Sequence, residues 1–343
     1  MRILHLSDTH LLEGGRLHNA AVDTHEALLR VLAHFDADDR IDLVVASGDL
    51  SDDGSVRSYE LLRNALEPWA ASRDARVVYA MGNHDLREGF AAVLGGGDPS
   101  GPLDSATTVA GVRVIVLDSA VPGAGYGRIR PGQLDFLRRT LREPAERGSL
   151  VVVHHPPVPA ATVLLQGLAL QEPEELLAAC AGTDVRAVLA GHYHHPLCTV
   201  AAGIPVIVSG GVANTADVLA PVGVEHATRG SSATIIDLED DGSVRATAVH
   251  VHGPGDGETV LMLDHDAVQR IIRESGVPAA AAGVGAAAGS AGAGAAGAGS
   301  GAAGVVRDAG AGAAGAGSGA ADVVRDAAAS AGAAGATEAA ASV

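Results

Sequence analysis

Hydrophobic and polar positions follow two rhythms over residues 1–276. Short runs rich in Val, Ile and Leu close on polar residues at 3–7, 43–47, 77–81, 112–117, 150–153 and 185–190, which predicts six strands. Between them, helix-period spacing predicts helices over about 19–35, 56–71, 132–142 and 173–180. This β-α rhythm implies an α/β domain with helices covering a sheet. After His194 the rhythm changes. Residues 199–209 and 233–251 read as successive strands with turns at Ala202-Gly203 and Asp241-Gly242. These hairpins predict a second sheet stacked on the first.

Composition changes at Gly276. From Val277 to Val343 the chain holds 31 Ala and 16 Gly among 67 residues. Residues 291–309 and 309–327 repeat one pattern with an 18-residue register, differing only at Gly304 and Asp322. Each interior Gly costs a helix about 1 kcal/mol relative to Ala. Too little apolar bulk is left to offset chain entropy. Two parts are expected: a catalytic domain over 1–276 and a low-complexity, disordered tail over 277–343.

The formal charge is −18, from 23 basic and 41 acidic residues. That balance argues against a protein that coats nucleic acid or an anionic membrane, which would carry a basic face. All 23 basic residues are Arg. Aromatic residues number 8, so the core must be built from Val, Leu, Ile and Ala. Cys180 and Cys198 exclude a disulfide framework and read as two buried, reduced small hydrophobes. The N-terminal apolar run is broken by His5 and ended by Asp8, so it is no secretory signal. No run of about 18 apolar residues predicts a membrane span. The default compartment is the cytoplasm.

Five polar clusters sit at the C-terminal ends of predicted strands: Asp8-Thr9-His10, Gly48-Asp49, Gly82-Asn83-His84-Asp85, His154-His155-Pro156 and Gly191-His192-Tyr193-His194. Ligands of α/β sheets bind beyond those ends. His, Asp and Asn donors without Cys suit Mn, Fe, Zn or Co. Asp8 and His10 are two apart, as are His192 and His194; in extended backbone each pair faces one side. The three glycines precede candidate ligands where backbone must turn or approach closely. Seven ligands exceed what one tetrahedral ion with an open position takes, and suit two ions sharing a carboxylate. Two metals about 3.5–4 Å apart clamp an in-line displacement at phosphorus, with hydroxide held by the ions as the nucleophile.

The series D-x-H, G-D, G-N-H-D/E, H and G-H-x-H, complete and in order from Asp8 to His194, resembles the calcineurin-like metallophosphoesterase superfamily. The stretches Leu6–His10, Val121-Pro122-Gly123, Thr183–His192 and Glu274-Ser275-Gly276 resemble its bacterial class III 3′,5′-cyclic-nucleotide phosphodiesterases, of the actinobacterial type. The resemblance covers residues 1–276 and implies two stacked mixed β-sheets flanked by helices, an αββα sandwich. It implies that Asp8, His10 and His194 hold one metal, Asn83, His154 and His192 the other, and Asp49 bridges them. His10, Asp49, Asn83, His84 and His194 would meet the substrate. His84 would protonate the departing sugar oxygen, oriented by Asp85. The substrate would be a cyclic nucleotide, cAMP or cGMP, released as the 5′-monophosphate, and the enzyme a homodimer. The alternatives on the same cage are a 2′,3′-cyclic nucleotide, a glycerophosphodiester or a phosphomonoester, and outside catalysis a binding scaffold.

Other polar residues carry plainer readings. His5 lies mid-strand and reads as a hydrogen-bonded core residue. His155 alternates away from His154. Tyr193 and His195 either rim the pocket or pack behind it. Asp52 and Asp53 either cap the following helix or enter the site. Tyr126 and Arg128 lie in a Gly-rich loop that borders the substrate or is solvated.

Overall fold

The computed structural model describes residues 1–38 and 40–276. The tail expected from composition lies outside them. In chain order the first half runs β1 (Arg2–Leu6), α1 (Thr24–His34), β2 (Leu43–Ser47), α2 (Val56–Ala71), β3 (Arg76–Ala80), α3 (Arg87–Leu94), β4 (Ser105–Val109), β5 (Val112–Leu117), β6 (Gly127–Arg128), α4 (Pro131–Thr140) and β7 (Ser149–Val153). The second runs α5 (Val163–Gly167), β8 (Leu170–Gln171), α6 (Pro173–Cys180), β9 (Val185–Ala190), β10 (Leu197–Ala201), β11 (Ile204–Val208), β12 (Thr215–Ala216), β13 (Glu225–Thr228), β14 (Ser231–Leu238), β15 (Val244–Val251), β16 (Thr259–Leu263) and α7 (His265–Ser275).

Two mixed sheets carry the fold, ordered β15-β14-β1-β2-β3 and β10-β11-β9-β7-β5-β4. They stack face to face through Ile3, Leu43 and Val45 of one sheet and Val114, Leu150, Val152 and Leu189 of the other, all fully buried. Each such side chain contributes about 1.5–3 kcal/mol when removed from water. The opposite strand faces take the helices. Leu4, Leu6 and Val44 pack on Leu28 and Leu32 of α1 and Leu62 and Leu66 of α2. Ile115, Val151 and Val188 pack on Leu134 and Leu137 of α4 and Leu176 of α6. Strands apolar on both faces read as unbroken hydrophobic runs, which is why they were visible in the sequence. The fold is the αββα sandwich that the resemblance implies.

Three expectations need correction. The two hairpins do not form a sheet of their own. β10-β11 joins β9 by parallel pairing of Val206 with Val188, and β14-β15 joins β1 through antiparallel pairing of Ile3 with Ile236. A hairpin pattern does not say which sheet edge it extends. The first helix begins at Thr24, not near Asn19, because Asn19 and Ala20 occupy left-handed backbone and Asp23 accepts the Glu26 N–H as N-cap. Cys198 is exposed on the edge strand β10, whereas Cys180 is buried as expected.

A small sheet, β12-β13-β16, and α7 lie outside the sandwich. Leu263, Val268 and Ile271 form their buried core, with Val163 and Leu164 of α5 packed against it. Sequence reading placed no element at α3, α5, α7 or this sheet.

Candidate active site

The candidate ligands come from the C-terminal ends of five strands, three in one sheet and two in the other. Asp8 and His10 follow β1, Asp49 follows β2, and Asn83 and His84 follow β3. His154 follows β7, and His192 and His194 follow β9. Hydrogen bonds sew the two sheets together here. His154 Nδ1 lies 2.9 Å from the Ser47 carbonyl, and the His192 N–H donates to the Asp8 carboxylate at 3.1 Å. Below them, His5 Nε2 meets Ser47 Oγ at 2.9 Å, and Ser209 Oγ donates to the His5 carbonyl at 3.1 Å. His5 is thus the hydrogen-bonded core residue expected.

Convergence is achieved by backbone strain rather than by the pleat. Asp8, His10, Asp49, His192 and His194 all have φ between 44° and 69°. The extended-backbone argument for the paired residues therefore does not hold: left-handed kinks aim them. Each such residue costs about 1–3 kcal/mol and persists only where its surroundings over-determine it. Here they do, since the Asp8, His10 and Leu11 N–H groups donate to the Gly48, Asp49 and Leu50 carbonyls at 2.9–3.1 Å, and Thr24 Oγ1 donates to the His10 carbonyl. Two glycines permit the close approach. A Cβ on Gly82 would collide with the Asp49 carboxylate, and one on Gly191 with Ser7 Oγ and Asp8.

Distances within the cluster suit a shared centre. His10 Nε2 lies 3.2 Å from His194 Nε2, and His194 Nε2 lies 3.4 Å from Asp8 Oδ1. Asp49 Oδ2 lies 3.2 Å from His154 Nε2 and 3.7 Å from His10 Nε2, between the two groups of residues. Asp8, His10 and His194 form one potential metal-holding triplet, and Asp8, Asp49 and His154 another. His154 and His192 form a third with His155.

The four histidines share one arrangement, in which one ring nitrogen is anchored. His10 Nδ1 lies 3.1 Å from Asp52 Oδ1, His154 Nδ1 on the Ser47 carbonyl, and His192 Nε2 3.1 Å from the Leu168 carbonyl. His194 Nδ1 meets Asn214 Oδ1. Such partners fix ring orientation and tautomer in metal sites. His154 Nε2 and Asn83 Oδ1, both shielded from solvent, make no hydrogen bond. Asn83 Oδ1 is a buried acceptor without a donor, and His154 Nε2 has only the Asp49 carboxylate 3.2 Å away; a cation satisfies both, so these residues fit a metal pair.

Electrostatics favour the neutral ring for His10 and His194, whereas the ion-free His154 ring carries a proton that a bound cation would displace. Burial first holds the His10 and His194 rings down to about 4, keeping them neutral as ligands must be. Burial pushes the Asp49 carboxyl up, but His154, His84 and His10 outweigh it and hold Asp49 well below the usual range. Burial also opposes His154, yet the Asp49 carboxylate raises that ring to about 9.

The role given to Asp85 is corrected. Its carboxylate accepts the Leu50, Ser51 and Gly82 N–H groups and the Tyr59 hydroxyl, at 2.8–3.1 Å. Burial, then the Asp49 charge, pushes Asp85 up to about 7, against those donors. It braces the loops. The His84 ring instead sets Nδ1 3.1 Å from Asp52 Oδ1, while its N–H donates to Asp49 Oδ1. Asp52 is a hub, since His18 Nδ1 also lies 3.3 Å from it. Burial opposes its ionisation, but His18, His10 and His84 together hold Asp52 well below the usual range. Neither Asp52 nor Asp53 caps α2; Ser55 does.

A cavity of about 140 Å³ opens over the cluster. His10, Asp49, Asn83, His84, His192 and His194 line its floor. His18, Asn19 and Asn214 also line it, none of them singled out by the sequence. Tyr193 lines it too, its hydroxyl donated to the Val158 carbonyl, and His195 stacks on Tyr193. Ala124 and Gly125 represent the Gly-rich loop, while Arg128 pairs with Glu172 at the surface. His155 is buried behind His192, bonded to Ser119 Oγ and near the Gly125 carbonyl. No helix among the described residues is long and apolar enough to cross a membrane.

Residues 1–196 match the Calcineurin-like phosphoesterase family. A Rhodococcus erythropolis protein named "Probable cyclic nucleotide phosphodiesterase" is 42% identical over 231 residues, covering 67% of this chain and 76% of that protein. A "cAMP/cGMP dual specificity phosphodiesterase" of Mycobacterium tuberculosis is 37% identical over 280 residues, covering 80% of this chain and 86% of the other. A "3′,5′-cyclic adenosine monophosphate phosphodiesterase" of Pseudomonas aeruginosa is 37% identical over 196 residues, covering 56% and 69%.

Proposed function

The chain belongs to the calcineurin-like phosphoesterase family, and on that premise we propose that it hydrolyses 3′,5′-cyclic nucleotides to 5′-monophosphates at a site for two metal ions. The observation that carries the reading is the convergence of Asp8, His10, Asp49, Asn83, His154, His192 and His194 under one cavity, with every ligand histidine anchored through its other nitrogen. Asp8, His10 and His194 would hold one ion, Asn83, His154 and His192 the other, and Asp49 both. This donor set suits Fe, Mn, Zn or Co. When bound, such ions supply Lewis acidity toward the phosphoryl oxygens and the positive charge that a chain of net charge −18 otherwise lacks near an anionic substrate.

The chain's own residues do the rest. His10, Asp49, Asn83, His84 and His194 face the substrate phosphate from the cavity floor. The bond that breaks is P–O3′, and the departing oxygen needs a proton. His84 donates it through Nε2, because Nδ1 faces the Asp52 carboxylate. Asp52 orients that ring and the His10 ring together. Asp85 keeps the Leu50-Ser51 and Gly82 backbones in register beneath them. A cytoplasmic homodimer completes the reading.

The test is a steady-state panel with Mn²⁺ on cAMP, cGMP, 2′,3′-cAMP and a glycerophosphodiester. The 3′,5′-cyclic esters should give the highest kcat/KM. A higher value on either other ester would reassign the substrate while leaving the metal chemistry standing.

A further inference from the structure

The cavity has a second wall, and it is apolar. Leu164 and Leu168, Ala227 of β13, Leu261 and Leu263 of β16 and Ile271 of α7 line it. Two polar groups interrupt this surface. Glu225, the first residue of β13, is 5% exposed, and its Oε2 makes no hydrogen bond. Ser275, the last residue of α7, is 1% exposed, and its Oγ makes none. Both line the cavity. A buried carboxyl oxygen without a donor is costly, and the strand does not require it. Glu225 pairs through its backbone with Leu263, which any strand-forming residue could do. The side chain therefore answers to something that enters the cavity.

We propose that Glu225 is a specificity-determining residue that accepts the N1–H and N2–H donors of a guanine base, with Ser275 Oγ as a neighbouring polar contact. This rests on the cyclic-nucleotide reading. It assigns the two ends of one cavity: phosphate on the histidine floor, base against the leucine wall. A purine has flat apolar faces that suit leucine and isoleucine side chains, and a polar edge that needs partners. An ionised carboxylate only accepts hydrogen bonds. Guanine offers it two adjacent donors. Adenine offers one donor beside the bare acceptor N1, which would face a carboxylate lone pair. Burial pushes the Glu225 carboxyl above its usual range, against the pull of the Thr162 hydroxyl. Two donated hydrogen bonds would favour the ionised form that burial opposes.

The test uses cGMP, cAMP and bis(p-nitrophenyl) phosphate, which has no base. Glu225→Gln presents one acceptor and one donor, the pattern that adenine matches. In this variant kcat/KM for cGMP should fall about 10–100-fold relative to the bis ester, the range expected for hydrogen bonds to a charged group. The cGMP-to-cAMP ratio should fall by the same order. An unchanged ratio overturns the proposal. A second measurement needs no variant: GMP should inhibit hydrolysis of the bis ester by the wild type about tenfold more tightly than AMP. Equal inhibition also overturns it. A wild type that cleaves the bis ester but neither cyclic nucleotide overturns the substrate reading, and this proposal with it.

Discussion

The floor and the outer wall of the cavity are built by different means. On the floor, His10, Asp49, His192 and His194 are all left-handed, and so is Asp8 beneath them; none of the residues lining the outer wall is. The floor gathers short loops from four strand ends, with His154 after a fifth lying beneath it. The wall uses ordinary strand and helix, with Leu261 and Leu263 on β16 and Ile271 on α7. Strain collects where several charged or ligating atoms must meet within about 3–4 Å, because a regular backbone spaces side chains too far apart for that. The wall needs only to exclude water and offer area, which regular elements do without strain. The floor therefore sets the chemistry, and the wall sets what is held above it.

The strongest challenge to that division is Asp49→Ala. Its carboxylate lies between the two groups of candidate ligands, so a methyl group would leave two cations facing each other. Activity should fall below detection, and elemental analysis should show both metals depleted. Loss of one metal with appreciable turnover would end the bridging assignment.

His84→Ala should separate binding from chemistry within the floor. The seven ligand residues remain, so metal content should stay near wild type. A positioned general acid is worth about 10²–10⁴ in rate, and kcat on a cyclic nucleotide should fall by that range. The loss should shrink on bis(p-nitrophenyl) phosphate, whose leaving group needs no proton. An equal loss on both esters would assign His84 to charge stabilisation instead.

Two aspartates then give a matched pair. Asp52→Asn removes charge from a group shared by His10, His18 and His84, and should cost about 10–100-fold in kcat/KM or metal affinity with little change in Tm. Asp85→Asn should do the reverse. Its carboxylate accepts three backbone N–H groups and one hydroxyl, and an amide cannot accept all four. About 2–3 kcal/mol of stability should be lost, read as a lower urea midpoint, because hydrogen bonds to charged groups are worth about 1.5–3 kcal/mol. Asp52→Asn unfolding as readily as Asp85→Asn would show that the hub is structural.

These contrasts also mark what could be read in the sequence. The floor was legible because its residue types are rare in strands, recur at strand ends and keep fixed spacing. Asp52 was left open between a helix cap and the site, because its partners His10 and His84 stand 42 and 32 positions away and the following residues predict a helix. Asn214 lies 20 positions from the His194 ring it holds. The wall left no signal, since Leu263 and Ile271 are the same residue types as the core they also serve. Glu225 lies in a stretch where sequence reading placed no element, so nothing marked it. Sheet membership of the hairpins was hidden because pairing such as Val206 with Val188 depends on which apolar faces meet, not on local pattern.

On the wall, Leu261→Ser is a milder probe. Leu261 is half-buried and lines the cavity. Covering half a leucine contributes about 1 kcal/mol, so KM for a cyclic nucleotide should rise about fivefold while kcat changes little. A fall in kcat with constant KM would place this wall in the chemistry after all.

The smallest effect should come from ending the chain at Gly276. Among the described residues the last to line the cavity is Ser275, and its carbonyl accepts the Gly125 N–H at 2.7 Å. The Gly276 N–H closes α7 on the Ile272 carbonyl. Residues 277–343 contain no His, Cys or Asn, and their acids are Asp308, Asp322, Asp326 and Glu338. Four scattered carboxylates cannot replace a cage of anchored imidazoles. The truncated enzyme should keep kcat/KM within about two- to threefold and its full metal content. A loss beyond tenfold with metals retained would extend the outer wall past Ser275, and a loss of metal would move the domain boundary itself.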